Sequence, residues 1–452
     1  MALLARVRES FWFVPAVMCL LAAVAAQVLV AVDRSLPERF LEGTGSVLYV
    51  VGADGSRDVL GAIAGSMLAV ASTTFSITIA VLALTSSSYG PRLVRNFMAD
   101  RGNQLVLGVY VATYLYTLLV LRSIRTLESG DEDPFVPQLA VNGAVLLAIV
   151  SIGVLVWFIH HISDSIQVWT LASKVHGELR AVVDDLHPQQ LGDEPQDAPV
   201  AVHLLEAARA RTPVRPVAAP RPGYVVHLDD APLLACAVEQ DVVVELLVRP
   251  GSFVVEGGDL ALVRGAADDK SVDLVARAVR CSITLAQARS PRQDVEFAVQ
   301  QLVEMAVRAL SPGTNDPYTA VNALDQLSDG LAALARRKMP SPARVDGDGT
   351  VRVIAPRVGL PELIALTVDA VRAYGLDSAD VVRRTIEVLA RVGVAADVDA
   401  RREVLVQLDL LVDDYGRSDP HPHDLDRARQ EAVRTRVAVG GRGGASPAVT
   451  LR

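Results

Sequence analysis

Four long apolar stretches within the first 160 residues constrain this chain more than any other feature of its sequence. A helix rises about 1.5 Å per residue, so about 20 apolar residues cross the hydrocarbon core of a bilayer. The stretches predict four transmembrane helices, at about 11–32, 59–88, 105–121 and 139–160, in a transmembrane domain over 1–162. The first is expected to be a retained helix rather than a signal peptide, because Gln27 to Asp33 lacks a small-residue cleavage site.

Small and hydroxyl side chains form a stripe along the second of these stretches. They recur at alternating steps of four and three residues, at Ala62, Ser66, Ala69, Thr73, Ser76, Ala80, Ala83 and Ser87. On a helix this spacing places them on one face, and bulkier residues such as Met67 and Val81 lie opposite. A small face lets helix backbones approach closely, and its hydroxyls can bond across an interface. The sequence leaves two alternatives open: the face packs against another helix, or it lines a wet pathway.

The composition excludes several classes of function. Hydrophobic residues make up 51% of the chain, as expected for a protein with membrane and aqueous parts. The net charge of −9 argues against a nucleic-acid-binding protein, because phosphate contacts need a basic face. Three cysteines are present, Cys19, Cys236 and Cys281, and no two form a C-x-x-C pair. We therefore predict no zinc or other metal site, no structural disulfide and no cofactor.

Basic residues in the predicted loops indicate which side of the membrane each terminus occupies. Arg92, Arg95 and Arg101 lie between the second and third helices, whereas the next connection sets four acidic residues beside Arg122 and Arg125. Because loops rich in arginine and lysine stay in the cytoplasm, both termini are predicted to be cytoplasmic. The chain is thus expected to be a multi-pass protein of the inner (plasma) membrane.

The long segment after the fourth helix is predicted to be a cytoplasmic α+β region. Its parts are a helical extension of the fourth helix at 163–187, a Pro-rich connector at 188–222, a small β module at 223–267, a helical domain at 268–437 with one hairpin near 344–355, and a disordered tail at 438–452. The pattern from Gly223 to Val263 resembles the small β-sandwich of biotinyl and lipoyl carriers and of efflux adaptor proteins. No lysine lies between Lys174 and Lys270, so no biotin or lipoyl attachment is expected.

A polar turn from Ser311 to Pro317 is the most distinctive motif of the predicted helical domain. Asp316 has the position of a helix N-cap, and Pro317 suits the first helical position. A helix N-terminus also binds anions, because its first N–H groups lack partners. The turn is therefore either a structural cap or a ligand site, with Ser311, Asn315, Asp316 and, one helix away, Arg292 as its candidate residues.

The string from Ala309 to Ala320, A-L-S-P-G-T-N-D-P-Y-T-A, carries a resemblance to a known family. Together with T-F-S-I-T at 74–78, Y-G-P-R at 89–92 and D-R-G-x-Q at 100–104, it resembles the bacterial membrane-protein family called domain of unknown function 2254. The likeness covers most of the chain. It implies an architecture with a membrane part and a cytoplasmic part, and it implies no particular activity.

The sequence contains no motif of a familiar catalytic class. It has no P-loop, no G-x-S-x-G nucleophile elbow and no H-E-x-x-H zinc motif, so we expect a protein that is not an enzyme. The leading hypothesis is a homo-oligomeric channel or transport-like protein in the lipid bilayer, gated or assembled by its cytoplasmic domain. The alternative is a membrane-anchored sensor or scaffold that binds a cytoplasmic partner or ligand.

The predicted topology is testable with reporters fused after Arg452. Green fluorescent protein should fluoresce there, and alkaline phosphatase should be inactive, because the first folds in the cytoplasm and the second needs the outside of the membrane. As a matched control, a phosphatase fused after Gly45, between the first two predicted helices, should be active. The opposite pattern at Arg452 would place the C-terminus outside and refute the topology.

Overall fold

The computed structural model describes residues 12–35, 52–89, 101–125, 135–165, 168–186, 198–337 and 341–441. The chain divides into two compact units, Met1–Thr170 and Leu171–Arg452. The first is helical, and the second combines helices with a small mixed-sheet region. The mostly helical fold with four candidate membrane spans is therefore confirmed.

Four helices of the first unit are long and apolar enough to cross a membrane. They are α1 (Phe13–Ser35), α2 (Ala53–Tyr89), α3 (Arg101–Ser123) and α4 (Gln138–Ser165). The last three cover their predicted apolar stretches and extend beyond both ends. Hydropathy reports only the apolar part of a helix, whereas backbone hydrogen bonding continues into its polar ends.

Helix α3 lies at the centre of the first unit and packs against the other three helices. Gly108 allows a close approach of α1, because a Cβ atom at this position would lie only 3.3 Å from the Cα atom of Pro15. Tyr116 is buried, and its hydroxyl donates a hydrogen bond of 2.9 Å to the Ala140 carbonyl of α4. The central helix is thus held by close backbone contact on one side and by a hydrogen bond on another.

A carboxylate at the end of α1 caps the beginning of α4. The two oxygens of Asp33 accept hydrogen bonds from the backbone N–H groups of Leu139 and Ala140, each at 3.0 Å. These donors belong to the first turn of α4, where the helix itself supplies no acceptor. The carboxylate also lies at the positive end of the α4 dipole. Asp33 therefore joins the two helices by satisfying groups that an apolar surrounding would leave unpaired.

Two sheets lie in the second unit. The larger has the strand order β1-β5-β3-β8-β7, formed by β1 (Val214–Ala218), β5 (Asp259–Arg264), β3 (Val243–Leu246), β8 (Val351–Ile354) and β7 (Ala343–Val345). The smaller has the order β4-β2-β6, formed by β4 (Phe253–Val254), β2 (Gly223–Leu228) and β6 (Ile283–Ala286). Strands β3 and β8 are parallel, and the other neighbours are antiparallel.

The sheets draw on more of the chain than the module predicted at 223–267. Strand β1 precedes that range, β6 follows it, and the hairpin predicted near 344–355 contributes β7 and β8 to the larger sheet rather than standing within a helical domain. The reason is β3, which is buried at all four positions. Such a strand needs a neighbour on each side, and these neighbours are β5 and β8.

The other elements described in the second unit are helices. They are α5 (Val168–Leu186), most of which belongs to this unit, α6 (Ala198–Arg209), α7 (Asp230–Glu239), α8 (Asp269–Ser282), α9 (Val295–Ala309), α10 (Pro317–Ala335), α11 (Leu360–Tyr374), α12 (Ala379–Ala395), α13 (Val398–Arg417) and α14 (Pro422–Gly440). The heptad-spaced apolar residues of α10 are buried within the chain. Helix α14 continues into the tail predicted as disordered from 438, and 442–452 lie outside the described residues.

A carboxylate on the central strand β3 connects three elements. Glu245 accepts a hydrogen bond of 2.7 Å from Arg209 of α6 and two bonds, of 2.7 and 2.9 Å, from Arg264 of β5. Burial alone would raise the pKa of Glu245, but the hydrogen bonds from Arg264 and Arg209 outweigh burial and hold this pKa below its ordinary value. The carboxylate is therefore ionised throughout the neutral range.

Replacing this carboxylate should change stability in a pH-dependent way. Glu245→Gln should lower the free energy of unfolding by about 1–3 kcal/mol at pH 7, because two arginines lose their charged partner. The folded pKa is depressed, so the stabilisation is complete above the unfolded pKa of about 4.3 and disappears as the pH falls through the folded pKa. Thermal unfolding of the purified chain between pH 7 and pH 3 measures this difference.

The exposed Glu256 supplies the matched control, and Glu256→Gln should leave stability unchanged. A stability difference between wild type and Glu245→Gln that stays constant down to pH 3 would show that the ionised carboxylate does not stabilise the sheet.

Candidate functional site

The small-residue stripe of α2 faces away from the core of its own unit. The positions from Ala62 to Ala83 are all exposed, and the side chain of Ser87 lies outside the described part. The buried positions of α2 are Ser56, Leu60, Ala64, Met67, Ala71, Thr74, Thr78 and Val81. Each exposed stripe position follows a buried position by two residues, and two residues turn a helix by about 200°. The two faces are therefore opposite, and only one of them is buried among the described residues.

The hydroxyl groups of the stripe are bonded within α2. Ser66, Thr73 and Ser76 each donate to a backbone carbonyl three or four residues earlier, at 2.9–3.0 Å. The stripe can therefore contact a second helix without leaving a donor unsatisfied in an apolar surrounding. Each hydroxyl oxygen keeps acceptor capacity for a group that approaches from outside.

Helix α3 carries polar side chains into the interior of the first unit. Asn103, Gln104 and Thr113 are buried, and Tyr110 is fully buried. The Thr113 hydroxyl lies 3.3 Å from the hydroxyl of Ser151 on α4. Among the described residues, neither the Tyr110 hydroxyl nor the Asn103 amide has a hydrogen-bond partner. Polar groups in such places are costly and typically mark functional positions. Tyr110 and Thr113 could have been found from their polarity within the apolar stretch at 105–121, whereas Asn103 and Gln104 lie just before that stretch.

The turn from Ser311 to Pro317 is a capped helix start. Asp316 is the N-cap that the sequence predicts: its two oxygens accept hydrogen bonds from the backbone N–H and the hydroxyl of Thr319, at 3.1 and 2.5 Å. Asn315 has a φ of 44°, in the left-handed region, and its N–H donates to the Ser311 carbonyl at 2.8 Å. Both oxygens of Asp316 thus serve the helix that follows.

Arg292 does not join this turn. It precedes the N-terminus of α9, whereas the turn follows the C-terminus, and the 15 residues of α9 separate the two by about 22 Å. The Arg292 side chain is exposed. This placement gives no support to the grouping of Arg292 with the turn. Spacing in sequence indicated that they lie one helix apart, and that helix is α9.

Arg289 is the arginine that binds a carboxylate near the beginning of α9. Its Nε and Nη2 atoms donate to Asp294 at 2.8 and 2.9 Å, and Asp294 also caps α9 by accepting the Phe297 N–H at 2.9 Å. Burial disfavours the charge of Arg289, but the hydrogen bonds and charges of Asp294 and Glu296 outweigh burial and raise the pKa of Arg289 above its ordinary value. Arg289 therefore keeps its charge in the interior.

Within the described residues, no three His, Cys, Asp or Glu side chains converge in a way that would hold a metal ion. The three cysteines are present as free thiols.

Comparison with known proteins places the chain in a family. The family described as "Predicted membrane protein (DUF2254)" matches residues 8–391. An uncharacterized protein of Mycobacterium bovis is 32% identical over 362 residues, which are 79% of this chain and 67% of the relative. An uncharacterized protein of Mycobacterium tuberculosis strain H37Rv has the same identity and coverage. No solved structure matches the chain. The family match confirms the resemblance that the motifs indicate.

Substitution of Asp316 separates capping from a role of its charge. Asp316→Ala should lower the free energy of unfolding by about 1 kcal/mol, because the first turn of α10 loses its cap. Asp316→Asn should be mild, because asparagine also caps helices. Chemical unfolding of the purified variants measures both. An Asn variant that stays folded but loses all function would show that the negative charge acts in a ligand site.

Proposed function

The chain belongs to the DUF2254 family of predicted membrane proteins, and we propose that it is a channel-like or transport-like homo-oligomer of the inner membrane whose copies meet through α2. Both termini are cytoplasmic in this proposal, and the second unit gates or assembles the oligomer without being an enzyme. The observation that carries the proposal is the small stripe of α2, whose positions from Ala62 to Ala83 are exposed in the part of the chain that the structure describes.

The exposed face of α2 differs from the exposed faces of α1 and α4. Those helices expose large apolar side chains, as expected towards lipid: Leu20, Leu21 and Val24 on α1, and Leu146, Ile149 and Val156 on α4. On α2 the large exposed residues, such as Leu68 and Phe75, flank a stripe of Ala, Ser and Thr. Small residues at heptad spacing are typical of a seam between helices, because they let the backbones approach along a shared supercoil.

A role beyond anchoring is supported by the polar interior of the first unit. Asn103, Gln104, Tyr110 and Thr113 of α3 bring polar groups into a bundle that would be more stable with apolar ones. A passive anchor gains nothing from such groups, whereas a protein that passes ions or small polar solutes needs them. The stripe therefore supports assembly, and the buried polar groups of α3 support transport.

A single substitution tests the assembly. Ala80 lies on the stripe, and Ala80→Leu adds three heavy atoms that a close helix contact cannot accommodate. We expect cross-linked oligomers of the purified protein to be lost and ion flux into proteoliposomes to fall to the level of empty vesicles. The flux is measured with K⁺ and Cl⁻ gradients, and assembly by chemical cross-linking of the same preparation.

The matched control is Ala25→Leu, the same change at an exposed position of α1, which should leave assembly and flux unchanged. An Ala80→Leu protein that assembles normally but conducts poorly would instead place the stripe along the pathway. Normal assembly together with normal flux would show that the stripe faces lipid, and the proposal would fail.

A further inference from the structure

A cleft in the second unit has the size of a small-molecule site. It lies where the end of β2, the turn after β3, the beginning of α9 and the segment before α11 meet. Its volume is about 180 Å³. An apolar cavity of about 150 Å³ is large enough to bind benzene, so this cleft admits a ring-sized organic molecule. Its walls include the apolar side chains of Leu228, Pro250, Val295 and Val358.

The carboxylates that line the cleft are already neutralised. Asp294 is held by both Nε and Nη2 of Arg289. Asp230 accepts a hydrogen bond of 2.8 Å from Nε of Arg344. Neither Arg289 nor Arg344 lines the cleft itself. The acidic groups therefore do not give the cleft a net preference for cations.

Two further arginines line the cleft, Arg249 and Arg357, and both are half-buried. Arg249 donates from Nη2 to the Glu296 carboxylate at 2.7 Å. A guanidinium carries five N–H donors in a planar fork, so one such bond uses only part of its capacity. The cleft and these partners together hold three carboxylates, Asp230, Asp294 and Glu296, and four arginines, Arg249, Arg289, Arg344 and Arg357, so the charge balance favours an anion.

The turn that carries Arg249 is fixed against the buried ion pair. Gly251 has a φ of +93°, and a Cβ atom at this position would lie 2.7 Å from Nη2 of Arg289. Its backbone N–H donates to the Val225 carbonyl at 2.8 Å, and the Arg249 N–H donates to the Ser252 hydroxyl at 3.1 Å. The position of Arg249 is therefore set before a ligand arrives, which reduces the entropy that binding must overcome.

We infer that this cleft binds a small organic anion, a carboxylate or phosphate group on an apolar body about the size of one ring. The acidic group contacts Arg249 and Arg357, and the body contacts the apolar walls. A planar arginine fork suits both carboxylate and phosphate. The inference is independent of the oligomer proposed above, because every residue of the cleft belongs to one unit of one chain.

Ligand-observed NMR with the full chain in nanodiscs tests the inference, with phenyl phosphate and benzoate as probes and empty nanodiscs as the blank. Both the ring and the charge should be required, so at least one anion should bind saturably and benzyl alcohol should not. The anion that binds more tightly shows whether the cleft prefers a phosphate or a carboxylate group. Arg249→Gln should weaken binding by about tenfold or more, because a charge-assisted hydrogen bond is lost.

Two variants keep the result interpretable. Val358→Phe fills the cleft without removing a charge and should abolish binding, and Arg292→Gln, outside the cleft, should bind like wild type. Thermal unfolding confirms that each variant is folded. The inference is overturned if neither anion binds the wild-type protein, if benzyl alcohol binds equally well, or if the folded Arg249→Gln and Val358→Phe proteins bind as wild type does.

Discussion

A hydrocarbon surrounding offers no hydrogen-bond partners, and the first unit of this chain is built around that constraint. Asp33 supplies acceptors for the first N–H groups of α4, and Tyr116 donates to a carbonyl near the same helix end. The serine and threonine hydroxyls of the stripe bond to carbonyls of their own helix. Against this background Tyr110 and Asn103 stand out, because the described residues provide no partner for their polar groups. The need to pair every polar group in an apolar surrounding does not explain these two positions.

In the second unit, arginine side chains supply hydrogen-bond donors to buried carboxylates. Only three of the 43 basic residues are lysine. The pairs Arg289–Asp294 and Arg264–Glu245 use two donors of one guanidinium on one carboxylate, a geometry that an ammonium group lacks. Such a pair fixes both partners in orientation as well as in charge. Glu245 and Asp294 therefore position β3 and the beginning of α9, and these elements carry the walls of the cleft.

The features that could be predicted from the sequence are those whose signal lies within one short segment of the chain. The apolar helices are visible because about 20 consecutive residues share one property. The Asp316 cap is visible because the cap and its target are three residues apart. The larger sheet was missed because β3 pairs with β8, more than 100 residues later, and no local pattern reports that neighbour. The cleft could not be predicted for the same reason, because four separate segments of the chain form it. Arg292 and Arg289 lie three residues apart with similar sequence surroundings, and only the fold determines which of them reaches Asp294.

The buried face and the exposed face of α2 both repeat with the same heptad period. Helix α2 has 37 residues, about 55 Å along its axis. Its buried and exposed sets both repeat at heptad spacing and are offset by two residues. A helix that curves to keep one heptad seam in register keeps the opposite seam in register as well. In the proposed oligomer, the same heptad period serves both the packing within one copy and the contact with a second copy. In that oligomer a neighbouring α2 would also enclose the hydroxyl groups of the stripe, on the face that the described residues leave exposed.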